Sequence, residues 1–299
     1  MNLHRLQVFH AVARQLSFSR AAEELYTSQP NVSKHIRQLE QELGVRLFHR
    51  LGTRIALTDA GRIVFDYAQR IFELTEGVQR ALAELEGLER GYLRLGASST
   101  PGVYLLPQAL ATFCQRYPNL EVILEVTNSQ HVVEGVRAGE LDLGFVGEYV
   151  EAAGLQVQPY VLDEVVLIAP ADHPLTDGRD VSPDDLRGET FIMREAGSGT
   201  SQIVEEAMAR LGIQPHRTLE LSGCEAVKRS VAAGLGVSFV SRYAIGLELA
   251  QGVLSVLEGP GLCLSRQLYI ISRKDIRPTA AVLTFTAHLH KTPLPTERP

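Results

Sequence analysis

What this chain lacks narrows its function first. It holds three cysteines, Cys114, Cys224 and Cys263, odd in number and widely spaced, which argues against a disulfide framework. No apolar run approaches the roughly 18–20 residues that span a bilayer, so no membrane partner is expected. The opening Met1-Asn2-Leu3-His4-Arg5 leads into an amphipathic pattern without the apolar stretch and cleavage site of a leader peptide. A cytoplasmic location is the expectation. His288 and His290 lie two apart, off a single helical face, with no acidic or cysteine companions, so no metal site is expected. Gly197-Ser198-Gly199 lacks the spacing of a nucleophile elbow, and nothing in the sequence activates Cys224 or Cys263 as a redox pair. The chain is expected to be no enzyme and to carry no cofactor.

What is present is unevenly distributed. The 299 residues suffice for about two domains. Residues 1–58 carry eight Lys/Arg against four Glu, a balance of +4, and the whole chain totals −6, so the remainder stands at −10. A basic head on an acidic body points to an anionic partner for the head alone.

The first ninety residues read as helical. Leu3, Leu6, Phe9, Ala13 and Leu16 form one apolar stripe. Ser19 is the expected cap of a short helix through Leu25, with Ala21 and Ala22 small enough for helices to cross closely. After Tyr26-Thr27-Ser28, a third helix opens on Gln29-Pro30, carries Val32, Ile36, Leu39 and Leu43 on one face, and ends at Gly44. Ser28, Asn31, Ser33, Lys34, Arg37, Gln38 and Gln41 make its polar side and flanks. Residues 46–58 read as a β-hairpin turning at Leu51-Gly52-Thr53, with Arg50 and Arg54 beside the turn. Thr58 and Asp59 then start a long helix. Val64, Tyr67, Ile71, Leu74, Val78, Ala81, Leu85 and Leu88 alternate in steps of three and four, a coiled-coil seam. The alternative is a single amphipathic helix lying on its own domain.

From Tyr92 onward, strands alternate with helices, which predicts mainly parallel sheets with right-handed crossovers. The strand–helix–strand–helix–strand pattern occurs twice, as for two similar lobes around a cleft. Three strand-to-helix turns are rich in hydroxyls: Ser98-Ser99-Thr100, Thr127-Asn128-Ser129 and Ser198-Gly199-Thr200-Ser201. Each can present backbone N–H groups and a side-chain oxygen at a helix start, which suits an anion or carboxylate. In open α/β sheets, ligands sit beyond the carboxyl ends of strands, where these turns fall. Plain helix capping is the structural alternative for each turn. Arg194 and Lys228 are the candidate positive charges.

Phe18-Ser19-Arg20-Ala21-Ala22-Glu23-Glu24-Leu25, Ser28-Gln29-Pro30-Asn31-Val32-Ser33 and Ile36-Arg37-Gln38-Leu39-Glu40 together resemble the DNA-binding head of LysR-type transcriptional regulators. Leu43 to Arg50 and Leu57-Thr58-Asp59-Ala60-Gly61 continue the likeness. It implies a winged helix-turn-helix head (1–58), a linker and dimerisation helix (59–90), and a two-lobed α/β effector domain like periplasmic binding proteins (91–299). Lobe I is expected over about 91–161 and 268–299, lobe II over about 162–267. Leu105-Leu106-Pro107, Gly139 to Gly144, Arg194-Glu195 with Gly197 to Thr200, and Gly234-Leu235-Gly236-Val237 look like the branch that regulates carbon-fixation and sulfur-assimilation operons.

The likeness implies double-stranded operator DNA as a partner, contacted by Ser28, Gln29, Pro30, Asn31, Ser33, Lys34, Arg37, Arg50 and Arg54. It also implies a small effector, by its chemistry an anion or carboxylate, held by Ser98, Ser99, Thr100, Thr127, Asn128, Ser129, Arg194, Ser198, Gly199, Thr200 and Ser201. A homodimer or homotetramer and contact with RNA polymerase complete the expected partners. The family often has arginine where this chain has Ser201, a departure that weighs against a strongly charged effector. A solute-binding or catalytic protein of the same two-lobed fold is the competing reading, which the wing and the seam disfavour.

Overall fold

Asn2 begins the head by accepting the His4 N–H on its side chain at 2.8 Å, which starts α1 (Leu3–Gln15). The computed structural model describes residues 2–51, 54–85, 91–148, 150 and 153–293. Leu16 ends α1 in a left-handed conformation (φ 43°), and Ser17 follows in extended backbone. Ser17 accordingly caps α2 (Phe18–Glu24) through the Arg20 N–H, and Ser19, the expected cap, falls inside the first turn. α3 (Gln29–Leu43) has Pro30 in its first turn and ends on Gly44 at φ 70°. Its Val32, Ile36 and Leu39 join Leu6, Phe9, Val12, Ala21 and Ala22 in one core, each large side chain contributing about 1.5–3 kcal/mol. Leu3 and Leu16 of the expected stripe remain exposed, and Val8, Ala11 and Val12 are buried in addition.

Strands β1 (Phe48–Leu51) and β2 (Arg54–Leu57) pair antiparallel, with Arg50 opposite Ile55 and Leu51 opposite Arg54. Their Gly52-Thr53 turn lies outside the described residues. Buried Glu40 holds the wing onto α3: its carboxylate accepts the Leu47 N–H at 2.9 Å and Arg46 Nη1 at 3.0 Å. Thr58 ties the other end, donating to the Arg46 carbonyl and accepting from the Gly61 N–H.

The helix that follows, α4 (Asp59–Leu85), divides the expected seam. Val64 and Ile71 pack on the head's own core together with Ala60, Phe65, Ala68 and Phe72. Tyr67, Leu74 and Val78 are 61%, 71% and 59% exposed. Part of the predicted seam thus lies on the helix's own domain, and Tyr67, Leu74 and Val78 are left uncovered within the chain. The side chains of Ala81 and Leu85, and all of Leu88, lie outside the described residues.

The chain divides into two units, Met1–Leu82 and Ala83–Pro299. The second unit runs β3 (Gly91–Ala97), a π-helical turn (Pro101–Leu105), α5 (Leu106–Arg116), β4 (Leu120–Val126), α6 (Ser129–Arg137) and β5 (Leu143–Val146). Next come β6 (Leu155–Pro170), β7 (Thr190–Arg194), α7 (Gly199–Leu211), β8 (Arg217–Leu221), α8 (Cys224–Ala232) and β9 (Ser238–Ser241). It closes with α9 (Gly246–Ala250), β10 (Leu254–Leu257), β11 (Cys263–Arg273) and α10 (Ala280–Leu289).

The expectation of mainly parallel sheets needs correction. β3 pairs parallel with β4 and β5, and β7 with β8. β6 and β11, however, are antiparallel to each other; β11 is antiparallel to β5, and β6 to β9 and β10. The sheet is mixed, in the order β10-β6-β11-β5-β3-β4 with β9 also on β6. The two long strands cross between lobes and so run against the local βα units. One lobe packs Leu93, Leu95, Phe113, Phe145, Ile270 and Phe285, and the other Val165, Leu167, Phe191, Phe239 and Leu264.

Candidate functional site

The candidate DNA face is the start of α3. Ser28, Gln29, Pro30, Asn31, Lys34 and Arg37 are exposed there, and Ser33 is half-buried. Gln29 Nε2 donates to Ser33 Oγ at 3.0 Å, so the two residues expected to read bases form one polar unit. Asn31 leans back to donate to Thr27 Oγ1 at 3.0 Å, and Arg37 Nε donates to the Ser33 carbonyl at 3.4 Å. Ser28 makes no capping bond with its hydroxyl. The strands place Arg50 and Arg54 on the wing, while their side chains lie outside the described residues. Tyr26 was not legible as part of this face, yet it is 98% exposed at φ 50° in the turn before α3. A lone aromatic at a helix break was its signal.

In the second unit the three hydroxyl turns come together. Ser98, Ser99 and Thr100 follow β3; Thr127, Asn128 and Ser129 follow β4; Ser198, Gly199 and Thr200 lead into α7. All nine line one crevice with Arg194, Gly147 and Arg266. Several of these groups also serve as caps: Asn128 Oδ1 accepts the His131 N–H at 2.9 Å, and Ser198 Oγ accepts the Thr200 N–H at 3.4 Å. Ser129 is different. Its hydroxyl is wholly buried on the crevice wall and has no hydrogen-bond partner, which is unusual for a buried polar group.

Ser201 is absent from the crevice. Its hydroxyl donates to the Arg194 carbonyl at 3.2 Å and to Glu205 at 2.9 Å, so it braces α7 and faces a neighbouring groove. Lys228 is likewise elsewhere, bound to Glu225, Glu248 and the Ala244 carbonyl. Around it, Tyr104 of the π-helical turn donates to Glu225 at 2.6 Å and lies under the ammonium at 5.2 Å. Burial pushes the Cys224 thiol up, away from reactive thiolate character. His288 serves structure, with Nε2 2.9 Å from Thr112 Oγ1.

The residue that sequence reasoning missed is Arg266. It is buried in β11, and its Nη1 donates to Thr200 Oγ1 at 2.9 Å and its Nη2 to Thr100 Oγ1 at 3.1 Å. Two turns from different lobes thus share one guanidinium. Asp163, its register partner on β6, accepts Nε at 2.8 Å and Nη2 at 2.7 Å, and takes the Ser241 hydroxyl on its other oxygen. Arg194 repeats the arrangement: Glu195 binds it through two bonds of 2.8 Å, while Nη2 reaches Ser99 at 3.2 Å. Burial opposes charge on Glu195, but Arg194 and the Gly223 N–H outweigh it and hold the carboxyl below its ordinary range.

The crevice therefore presents donors with little net charge. It is also tightly closed. A Cβ on Gly199 would stand 3.0 Å from the Gly147 carbonyl carbon, and one on Gly147 would stand 3.1 Å from Arg266 Nη1. The remaining space, about 10 Å³, is that of a single water molecule.

Residues 3–62 match the bacterial regulatory helix-turn-helix protein, lysR family, and residues 86–293 the LysR substrate binding domain. The RuBisCO operon transcriptional regulator of Allochromatium vinosum is 39% identical over 285 residues, covering 95% of this chain and 94% of its own, in line with the carbon-fixation likeness. The regulatory domain of CcmR from Synechocystis PCC6803, in complex with 2-PG, has a TM-score of 0.63 and 33% identity, covering 68% of this chain and 97% of that one. Full-length CbnR complexed with its target DNA has a TM-score of 0.66 and 25% identity, covering 97% and 99%. The chain belongs to the LysR family, a DNA-binding transcriptional regulator rather than an enzyme.

Proposed function

We propose that this regulator takes a compact acid bearing one phosphate and one carboxylate into the crevice between its lobes, and that occupancy alters its grip on operator DNA. The observation that carries the reading is the convergence of three hydroxyl turns on one crevice, two of them bonded to Arg266, with the unpartnered Ser129 hydroxyl on its wall. Donors aimed at one point favour an anion even where arginines are already paired. The CcmR regulatory domain, solved in complex with 2-PG, supports a small anionic ligand.

A space of one water cannot hold such an acid. Entry must loosen the Arg266 bonds to Thr100 and Thr200 and the Arg194 bond to Ser99, of which those to Thr100 and Ser99 cross between lobes. The ligand then has unequal affinity for two lobe arrangements, which any effect on DNA requires.

On the DNA side, Gln29 and Ser33 read base edges with Pro30 and Lys34 at the groove, Lys34 and Arg37 reach bases or phosphates, Arg50 and Arg54 take phosphate or minor-groove contacts, and Ser28 and Asn31 flank the face. The proposed organisation is a head over 1–58, a linker helix over 59–90 and an effector domain over 91–299, working in the cytoplasm as a dimer or tetramer. No helix of the described residues is long and apolar enough to cross a membrane.

The test measures affinity for a duplex selected from random DNA, with and without 2-phosphoglycolate, for the parent, Thr100→Val, Thr200→Val and Ser129→Ala. The three variants keep size or nearly so, and each should lose most of the response. Parent-like responses in all three would reduce these hydroxyls to caps and remove the crevice as the site.

A further inference from the structure

An open groove of about 620 Å³ adjoins the crevice. The two share Ser198, and the groove continues by one residue from three crevice elements: Gln130 follows Ser129, Glu148 follows Gly147, and Ser201 follows Thr200. It is the natural place for whatever part of a bound acid does not fit among the hydroxyl turns.

The two compartments differ in charge. In the crevice Arg194 and Arg266 are matched by Glu195 and Asp163, so side-chain charge sums to zero. The groove holds Glu134, Glu148 and Glu205 against Arg137 alone. Glu148 sets the boundary. It is half-buried, and burial raises its carboxyl despite the nearby Arg266, so a second anion placed beside it meets a carboxylate or must force it to take up a proton. Glu205 is fixed by the Ser201 hydroxyl and Glu134 by Gln130 Nε2, so neither swings away at no cost.

We infer that Glu148, Glu205 and Glu134 make this regulator selective by charge count: they reject acids carrying a second phosphate and admit those whose remainder is neutral or cationic. The inference rests on the effector reading above and narrows it. The crevice offers donors for one anionic head. The groove repels another, because like charges a few ångström apart in a partly desolvated site cost more than in water.

The matched probes are 3-phosphoglycerate and 2,3-bisphosphoglycerate, which share a three-carbon acid and differ by one phosphate, with 2-phosphoglycolate as the reference. Calorimetry on the full chain should show the bisphosphate binding at least about tenfold more weakly than the monophosphate. The gap should shrink as salt is raised. Glu148→Gln combined with Glu205→Gln keeps shape and hydrogen-bonding oxygens while removing two charges. This variant should close most of the gap and leave 2-phosphoglycolate affinity within about twofold. Equal binding of the two glycerates by the parent, or an unchanged gap in the double variant, overturns the charge filter while the crevice stands. Failure of all three acids to bind overturns the effector reading, and the filter with it.

Discussion

Arg266 shows what a sequence hides at the scale of one residue. Its neighbours in Cys263-Leu264-Ser265-Arg266-Gln267-Leu268 alternate as in an ordinary half-buried strand, and arginine at such a position usually faces water. The missing signal was a pair. Asp163 and Glu164 are the two acids in the otherwise apolar stretch Val161 to Ile168, and it is Asp163 that stands in register with Arg266, so opposite charges in two largely apolar strands are buried together. Ser201 misled in the opposite direction: its place in a hydroxyl-rich turn did not reveal that Glu205, one helical turn on, captures it.

His10 allows a prediction at this scale. Its ring stacks on Phe65 at 5.1 Å and lies 5.6 Å from Phe72, with Nε2 buried and unpartnered. Burial first, then Arg14, lower its pKa below 6.5, while Glu24 acts against them. Below pH 6.5 the unfolded chain takes up a proton that the folded head refuses, so stability falls as pH drops through that value toward the lower folded one. Thermal melts of the parent between pH 7.5 and 5.5 should lose more stability than those of His10→Phe. Parallel losses in the two proteins would show that His10 titrates alike folded and unfolded.

Among the elements, the helices were legible and the strand ends were not. Apolar spacing located α3 and its caps because Pro30 and Gly44 act locally. β6 is legible in the sequence only over Val165–Ala169, because Gln156, Gln158 and Pro159 break the apolar density of its first half. α9 and β10 are not legible there, being five and four residues long, too short to show a period. Glu40 looked like one more polar residue of α3, and its role as a buried brace depends on a wing seven residues away.

The junction of wing and α4 makes a second prediction. A Cβ on Gly61 would lie 2.1 Å from the Leu47 carbonyl oxygen, which belongs to the backbone and cannot swing aside. Helix propensity alone would make Gly61→Ala a gain of about 1 kcal/mol. The overlap should reverse that sign, with a net loss of about 1–3 kcal/mol in urea denaturation of the head's transition. A gain would mean that α4 leaves the wing more easily than its contacts indicate.

For the whole molecule, the two-lobed plan was visible because strand and helix patterns repeat, and the head because its motifs are local. The mixed sheet was not, since nothing in β6 or β11 announces direction. α4 is the proposed element of assembly beyond one chain. Leu74 is largely exposed and takes no part in the head's core, so Leu74→Glu should leave the single chain folded. A partner helix covering that face would meet an unpaired charge, which is costly to bury. Sedimentation should show the variant as a monomer and binding assays a loss of tight operator affinity, because a dimer spans two half-sites. An intact oligomer would move the interface away from Leu74.

The pairing of β6 with β11 constrains how the lobes can move. Every residue of the 11-residue β11 has a register partner on β6, with one irregularity between Leu268 and Tyr269. Such a two-stranded ribbon resists stretching and sideways shear, since either would break several hydrogen bonds at once, but it twists readily, most of all at a bulge. The lobes are thus coupled by a torsion spring rather than a hinge pin. Arg266 and Asp163 form one of its rungs, so an anion that pulls on the guanidinium applies torque to the spring directly.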